Sequence, residues 1–273
     1  MFRRIFLLCA LTLALSAGTA MAGQKIRVAS DCNWPPMEFL DQNKQPIGFS
    51  VDLLHEMGKE LGVEFEIMNV PWDGIFSGVA AGKYDVVSSS TTITPERQKK
   101  YLFSDSYYDV VQSVVMPLGQ NIASLADLKD KKVGGQIGTT GIFVMEKSKA
   151  GATIREYDDV GLAMKDLANG RLDAVICDSN VATYYANVKA EYKNHFHVAF
   201  KTKDVEHLGF CLNKDDTKMQ KLLNDGLAKM RANGRMQALI KTMMGESSLF
   251  FRFCRRGSAR ASGAFSVFFF IRL

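Results

Sequence analysis

The stretches AAGKYDVVSSS (80–90) and ANGRLDAVICDSN (168–180) repeat one frame, A-x-G-[KR]-x-D-x-V. In both, a helical pattern ends on glycine, and a basic residue and an aspartate lead into an apolar run. Polar side chains follow where the run stops. Two copies of one helix–strand unit predict two lobes built alike. Around them, strand patterns occupy 25–30, 64–70, 84–89, 131–137, 173–178 and 207–213. Helical patterns occupy 50–62, 72–83, 141–150, 159–169 and the region near 180–191, and two more helices close the core. This alternation predicts an α/β protein with largely parallel sheets.

With 273 residues, 47% of them hydrophobic, the chain can bury one large core or two modest ones. The formal charge of +5 is unevenly placed. Arg3 and Arg4 contribute two charges and Arg252, Arg255, Arg256, Arg260 and Arg272 five, so residues 23–246 carry −2. A nucleic-acid-binding surface is therefore not expected. The N-terminus has a basic start, an apolar run from Ile5 to Leu15 and an A-x-A site at Ala20–Ala22. These features predict a cleaved signal peptide over 1–22, with Gly23 the first mature residue; the apolar run is too short to span a bilayer. Export permits disulfides, but Cys32, Cys177, Cys211 and Cys254 show no paired spacing and read as isolated small apolar side chains.

In open α/β sheets, ligands bind beyond the carboxyl ends of the strands. Asp31 ends one strand; Ser89, Ser90 and Thr92 follow another. Gly138, Thr139 and Thr140 follow a third, and Asp178 ends a fourth. Thr94-Pro95-Glu96 reads as a helix start, with a hydroxyl cap, proline in the first turn and an acid beside it. Arg97 in that first turn opposes the helix dipole, which points to a task other than helix stability. Its planar fork suits a carboxylate. The glycine-rich turn GQIGTTG (135–141) presents a helix N-terminus to an anion, but lacks the lysine and spacing of a nucleotide-binding loop. Asp178 either caps the helix that follows or holds an ammonium group. Trp34 and Trp72, the only tryptophans, either fill the core or wall a ligand.

Taken together, PPMEF, GFSVDLL, TITPERQKKYLFSDSYY, LKDKKVGGQIGTT and GRLDAVICD resemble the periplasmic polar and basic amino-acid-binding proteins of ABC uptake systems, over about 25–245. The resemblance implies two α/β lobes of mostly parallel sheet flanked by helices, joined by two crossing strands near Tyr108–Val111 and Glu206–Leu208. Lobe 1 would comprise 23–110 and 207–246, and lobe 2 111–206. The ligand contacts implied are Asp31, Trp34, Trp72, Ser89, Ser90, Thr92, Arg97, Gln136, Thr140 and Asp178. Arg97 would take the α-carboxylate and Asp178 the α-ammonium, while Gln136 stands where the family varies its side-chain contact. Ser50 replaces the acid usual in GFDVDL, and no cysteine pair occurs near residues 58 and 65. The segment 247–273 holds 7 of the 18 phenylalanines, departs from the family's length, and is expected to be a disordered or non-native extension, the alternative being a segment that contacts the membrane surface or the permease.

The expected function is thus a periplasmic receptor delivering an amino acid to the permease subunits of an ABC transporter at the inner membrane. It is expected to act as a monomer, without metal, cofactor or catalytic residue. Asp31 and Gln136 between aromatic walls favour arginine, lysine, ornithine, histidine or glutamine. The competing enzyme reading is a prephenate or arogenate dehydratase on the same scaffold, for which no proton donor is identifiable. His195 and His197 lack the partners of a metal site. A sensor domain would need an attached signalling or membrane segment.

Overall fold

The computed structural model describes Gly23 and residues 25–244; the expected signal peptide, the 247–273 tail, Cys9 and Cys254 lie outside the described residues. Two five-stranded sheets flanked by helices form two lobes. In the first, Lys25–Ser30 pairs in parallel with Glu64–Asn69 and with Val86–Val87. Cys211–Leu212 then lies antiparallel between Val86–Val87 and Leu102–Phe103. In the second, Lys132–Gln136 pairs in parallel with Thr153–Tyr157 and Ala174–Asp178. Gln112–Pro117 runs antiparallel to Ala174–Asp178 and to Phe196–Lys201. Each sheet is therefore mixed: four strands run one way, and a single antiparallel strand, Cys211–Leu212 in the first and Gln112–Pro117 in the second, runs against them. The three described cysteines, Cys32, Cys177 and Cys211, are buried free thiols.

The repeated frame has one physical cause in both lobes. Gly82 and Gly170 each take φ +69°, a left-handed conformation that costs a residue without Cβ little. Lys83 N–H donates to Gly78 O and Gly82 N–H to Val79 O; Arg171 N–H donates to Asp166 O and Gly170 N–H to Leu167 O. This is the same helix-ending hydrogen-bond pair twice. The aspartates then register the next strand. Asp85 N–H donates to Arg27 O while Arg27 N–H donates to the Asp85 carboxylate at 2.9 Å. Asp173 N–H donates to Lys132 O while Lys132 N–H donates to the Asp173 carboxylate at 2.7 Å. Each aspartate thus locks the strand that follows it against its parallel neighbour, and the polar groups emerge at matching strand ends.

Several boundaries differ from the sequence reading. The helix expected over 72–83 spans only Ile75–Ala80, because Gly74 at φ +82° forms a turn that leaves Trp72 ahead of it. The strand expected over 207–213 is two strands, Glu206–Leu208 and Cys211–Leu212. Glu206–Leu208 pairs antiparallel with Tyr108–Val110, and these are the two strands crossing between the lobes. The segment after Val87 lies beside the returning strand: Ile93 N–H donates to His207 O at 2.8 Å and Gly209 N–H to Thr91 O at 3.0 Å. The row of hydroxyl side chains is therefore anchored to the crossing by its own backbone.

Beneath that row Glu38 is fully buried with Ser50, Ser90 and Tyr107, spaced more loosely than full hydrogen-bond geometry. Burial pushes the Glu38 carboxyl well above the ordinary carboxylate range, the Ser50 and Ser90 hydroxyls opposing this in part. Ser50 stands where the resembling family carries an acid, and here it faces Glu38, so a second carboxyl would share the same dry space. Because the folded pKa lies above the unfolded one, the contribution of protonated Glu38 is fully present below the unfolded value and is lost as pH rises towards the folded value. Glu38→Gln should therefore gain stability relative to wild type as pH rises above the ordinary carboxylate range, read as a growing difference in Tm. A pH-independent difference would contradict a protonated Glu38.

Candidate functional site

All ten residues singled out in the sequence line one cavity between the lobes, together with Thr139. The empty space among them is about 330 Å3, part of it open to solvent. Asp31, Trp34, Trp72, Ser89, Ser90, Thr92, Gln136 and Asp178 are all buried, whereas Arg97 and Thr140 are half-buried.

Arg97 sits in the short helix Pro95–Lys100, capped as expected by Thr94, whose Oγ1 accepts from Arg97 N–H at 3.2 Å. Its guanidinium lies over Trp72 and Phe76, with ring centroids 5.5 and 5.1 Å away. It donates to Thr92 O at 2.9 Å and across the cleft to Gly138 O at 3.2 Å. Burial lowers its pKa, opposed by Cys211, Glu206 and Asp178, yet an arginine stays charged at neutral pH. A guanidinium has more N–H donors than two carbonyls consume, so donors remain for a solute.

Asp178 occupies the N-cap position of Ser179–Asn187 but makes no side-chain cap bond. Its carboxylate instead accepts from Trp34 Nε1–H at 3.2 Å and from Gln112 Nε2–H at 2.7 Å. Of the two roles open from sequence, capping is not the one observed. Burial first, then the nearby Glu206 carboxylate, push Asp178 up to about 7, while Gln112, Trp34 and Arg97 pull the other way.

At the other end, Asp31 accepts from Asn33 Nδ2–H at 2.9 Å and, across the cleft, from Gln136 Nε2–H at 2.7 Å. Burial raises its pKa against these bonds. Gln136 Nε2 also donates to Asp158 O at 2.8 Å. Both amide N–H groups are consumed, and a flipped amide would set its oxygen against a carboxylate and a carbonyl. The remaining group of Gln136 is its acceptor oxygen. The backbone of Ser90, between these ends, takes φ +42°, a costly conformation for serine that redirects the chain at the cavity wall.

Two polar residues escaped the sequence reading. Gln112 Nε2 reaches Asp178, Thr140 Oγ1 at 3.1 Å and Glu206 Oε2 at 3.2 Å. Glu206 Oε2 also accepts from Thr140 Oγ1 at 2.6 Å and Thr92 Oγ1 at 3.0 Å. Both stand in or beside the crossing strands, where the expected hinge was the available signal. Because Trp34 and Trp72 are the chain's only tryptophans and both wall the cavity, a solute entering it should shift the intrinsic fluorescence. Trp34→Phe and Trp72→Phe should each remove part of that change; an unaltered signal in both would place the solute elsewhere.

The model for bacterial extracellular solute-binding proteins, family 3, matches residues 26–246. A probable histidine-binding protein of Neisseria gonorrhoeae is 37% identical over 223 residues, covering 80% of this chain and 82% of that protein. The L-cystine-binding protein TcyJ of Escherichia coli (strain K12) is 30% identical over 220 residues, covering 80% of this chain and 82% of that one. Among solved structures, an ancestral arginine-binding protein bound to arginine superposes with a TM-score of 0.76 and 34% identity, covering 81% of this chain and 98% of its own. An ancestral arginine-binding protein bound to glutamine gives 0.77 at the same identity and coverage. With a cleft of this construction and a family match over nearly all of the described residues, the chain belongs to the family 3 bacterial extracellular solute-binding proteins.

Proposed function

We propose that the chain is a monomeric periplasmic receptor, exported by cleavage after Ala22, that captures an α-amino acid between its lobes and delivers it to an ABC transporter permease. Lobe 1 comprises 23–110 and 207–246, lobe 2 111–206, and the cleft closes by hinge motion about the crossing strands. The observation that carries this reading is the placement of Arg97 from one lobe and Asp178 from the other around a single cavity. Arg97, with the Thr92 and Thr140 hydroxyls, takes the α-carboxylate. Asp178, with the wall at Ser89 and Ser90, takes the α-ammonium, and Trp34 and Trp72 flank the solute. Among the described residues no helix is long and apolar enough to cross a membrane, in keeping with a receptor that meets its permease from outside.

The side-chain end narrows the solute class. Asp31 and the Gln136 oxygen are acceptors, so the matching solute side chain donates N–H: arginine, lysine, ornithine, histidine or glutamine. An acidic side chain would meet a carboxylate, and an aliphatic one would leave buried acceptors unpaired. Hydrogen bonds to charged groups contribute about 1.5–3 kcal/mol each, and micromolar affinity needs about 8 kcal/mol, so a handful suffices. Family membership and the named relatives favour a transport receptor over a dehydratase.

Calorimetric titration against the common amino acids tests the reading directly. Tightest binding is expected for arginine, and tightest binding to glutamate or leucine would overturn it. Arg97→Ala should weaken binding on the order of 100-fold, as expected for truncating one partner of a buried charge pair. Gln136→Leu should weaken arginine and glutamine while favouring an aliphatic amino acid. The ammonium needs ionised Asp178, whose carboxyl lies up to about 7 before the solute arrives. Arginine affinity should therefore be flat above that pH and fall below it, by up to about tenfold per pH unit, with proton release on binding. A flat profile between about pH 5 and pH 8 would argue against an ammonium at Asp178.

A further inference from the structure

The Glu206 carboxylate already occupies the hydroxyls that a bound carboxylate needs. Glu206 opens the returning crossing strand Glu206–Leu208. Its Oε2 accepts from Thr92 of one lobe at 3.0 Å and from Thr140 of the other at 2.6 Å. The two hydroxyl oxygens are 3.4 Å apart. Gln112 Nε2–H adds a third donor at 3.2 Å, while also holding Asp178. Arg97 lies close enough to feel the charge of Glu206. A hydroxyl has a single hydrogen to give. While Thr92 and Thr140 donate to Glu206, neither can donate to a second carboxylate, and two carboxylates at one anion subsite repel.

We infer that Glu206 is an internal stand-in for the solute's carboxylate, bridging the lobes until a solute bearing its own carboxylate displaces it. The part of this inference that concerns solute choice rests on the amino-acid reading of the cleft; the bridging part does not. A carboxylate sited on the crossing strand is placed to do both, because it touches one hydroxyl from each lobe without belonging to the face of either. Displacement weakens every carboxylate-bearing solute by the strength of the bonds it must break. A solute lacking the carboxylate leaves Glu206 where it is. Glu206 thereby sets how strongly the cleft distinguishes an amino acid from the corresponding amine.

The test compares arginine with agmatine, which keeps the guanidinium and the amine but has no carboxylate, on wild type, Glu206→Gln and Glu206→Ala. Isothermal titration should show arginine tightening about tenfold in Glu206→Ala, with agmatine unchanged or weaker. Glu206→Gln, which keeps an acceptor without the charge, should fall between and guards against a misfolded alanine variant. An arginine-to-agmatine affinity ratio that is unchanged or reduced in both variants overturns the stand-in role. Small-angle scattering without solute supplies the second arm. Wild type should have a smaller radius of gyration than Glu206→Ala, and equal radii overturn the bridging role. Should arginine and every other amino acid fail to bind wild type, the amino-acid reading falls with the displacement claim, and the scattering arm still decides whether Glu206 holds the lobes together.

Discussion

The hydroxyl wall of the cleft is positioned by one constraint: the backbone of residues 91–93 is hydrogen-bonded to the strand returning between the lobes. Ile93 N–H to His207 O and Gly209 N–H to Thr91 O fix that segment, and Thr92 bridges Leu208 from it. Arg97 follows one helical cap later and is held by Thr92 O. Side chains on a connecting segment are thereby tied to the strands that cross between the lobes. The cavity wall and the crossing share a single piece of backbone.

Charge balance explains why so many acids tolerate one another there. Asp178 and Glu206 lie near enough to Arg97 to interact with its charge, while Asp31 lies at the other end of the cavity and Glu38 is fully buried. Isolated ions in such a space would cost several kcal/mol each. The protein offsets this by giving each cleft carboxylate two or more N–H or O–H donors, drawn partly from the opposite lobe, while burial raises the pKa of Glu38. Trp34 to Asp178 and Gln136 to Asp31 are bonds of this kind. They tie the two lobes together across the cavity.

Much of this was legible in the sequence because it lies at strand ends that the hydrophobic pattern marks clearly. The doubled frame around Asp85 and Asp173 announced two lobes, and its cause is one backbone device used twice: a left-handed glycine ends the helix and an aspartate pairs with the neighbouring strand. Arg97 stood out as a cation in a first helical turn, and the structure finds it lining the cavity; the helix Pro95–Lys100 is so short that Arg97 also belongs to its last turn, where a cation is favoured. Glu206 and Gln112 were not legible as site residues. A three-residue strand has no periodicity to read, and Gln112 begins an otherwise apolar strand. The break at Gly209 merged two strands into one expected element for the same reason: HLGFCLN is continuous in pattern but belongs to the crossing and then to the core. Gln112–Pro117, antiparallel to its neighbours, follows the crossing strand Tyr108–Val110 and not a helix, so it lacks the alternation that made the parallel strands visible.

The position of Cys211–Leu212 inside the first sheet has a consequence for how the chain assembles. The second sheet draws all its strands from one uninterrupted stretch, 112–201, so nothing later in the chain is needed to finish it. The first keeps a gap between Val86–Val87 and Leu102–Phe103 until residues more than a hundred positions downstream arrive. Long-range pairing of this sort is slow because loop closure precedes the contacts that reward it. The half of the molecule encoded first is therefore completed last.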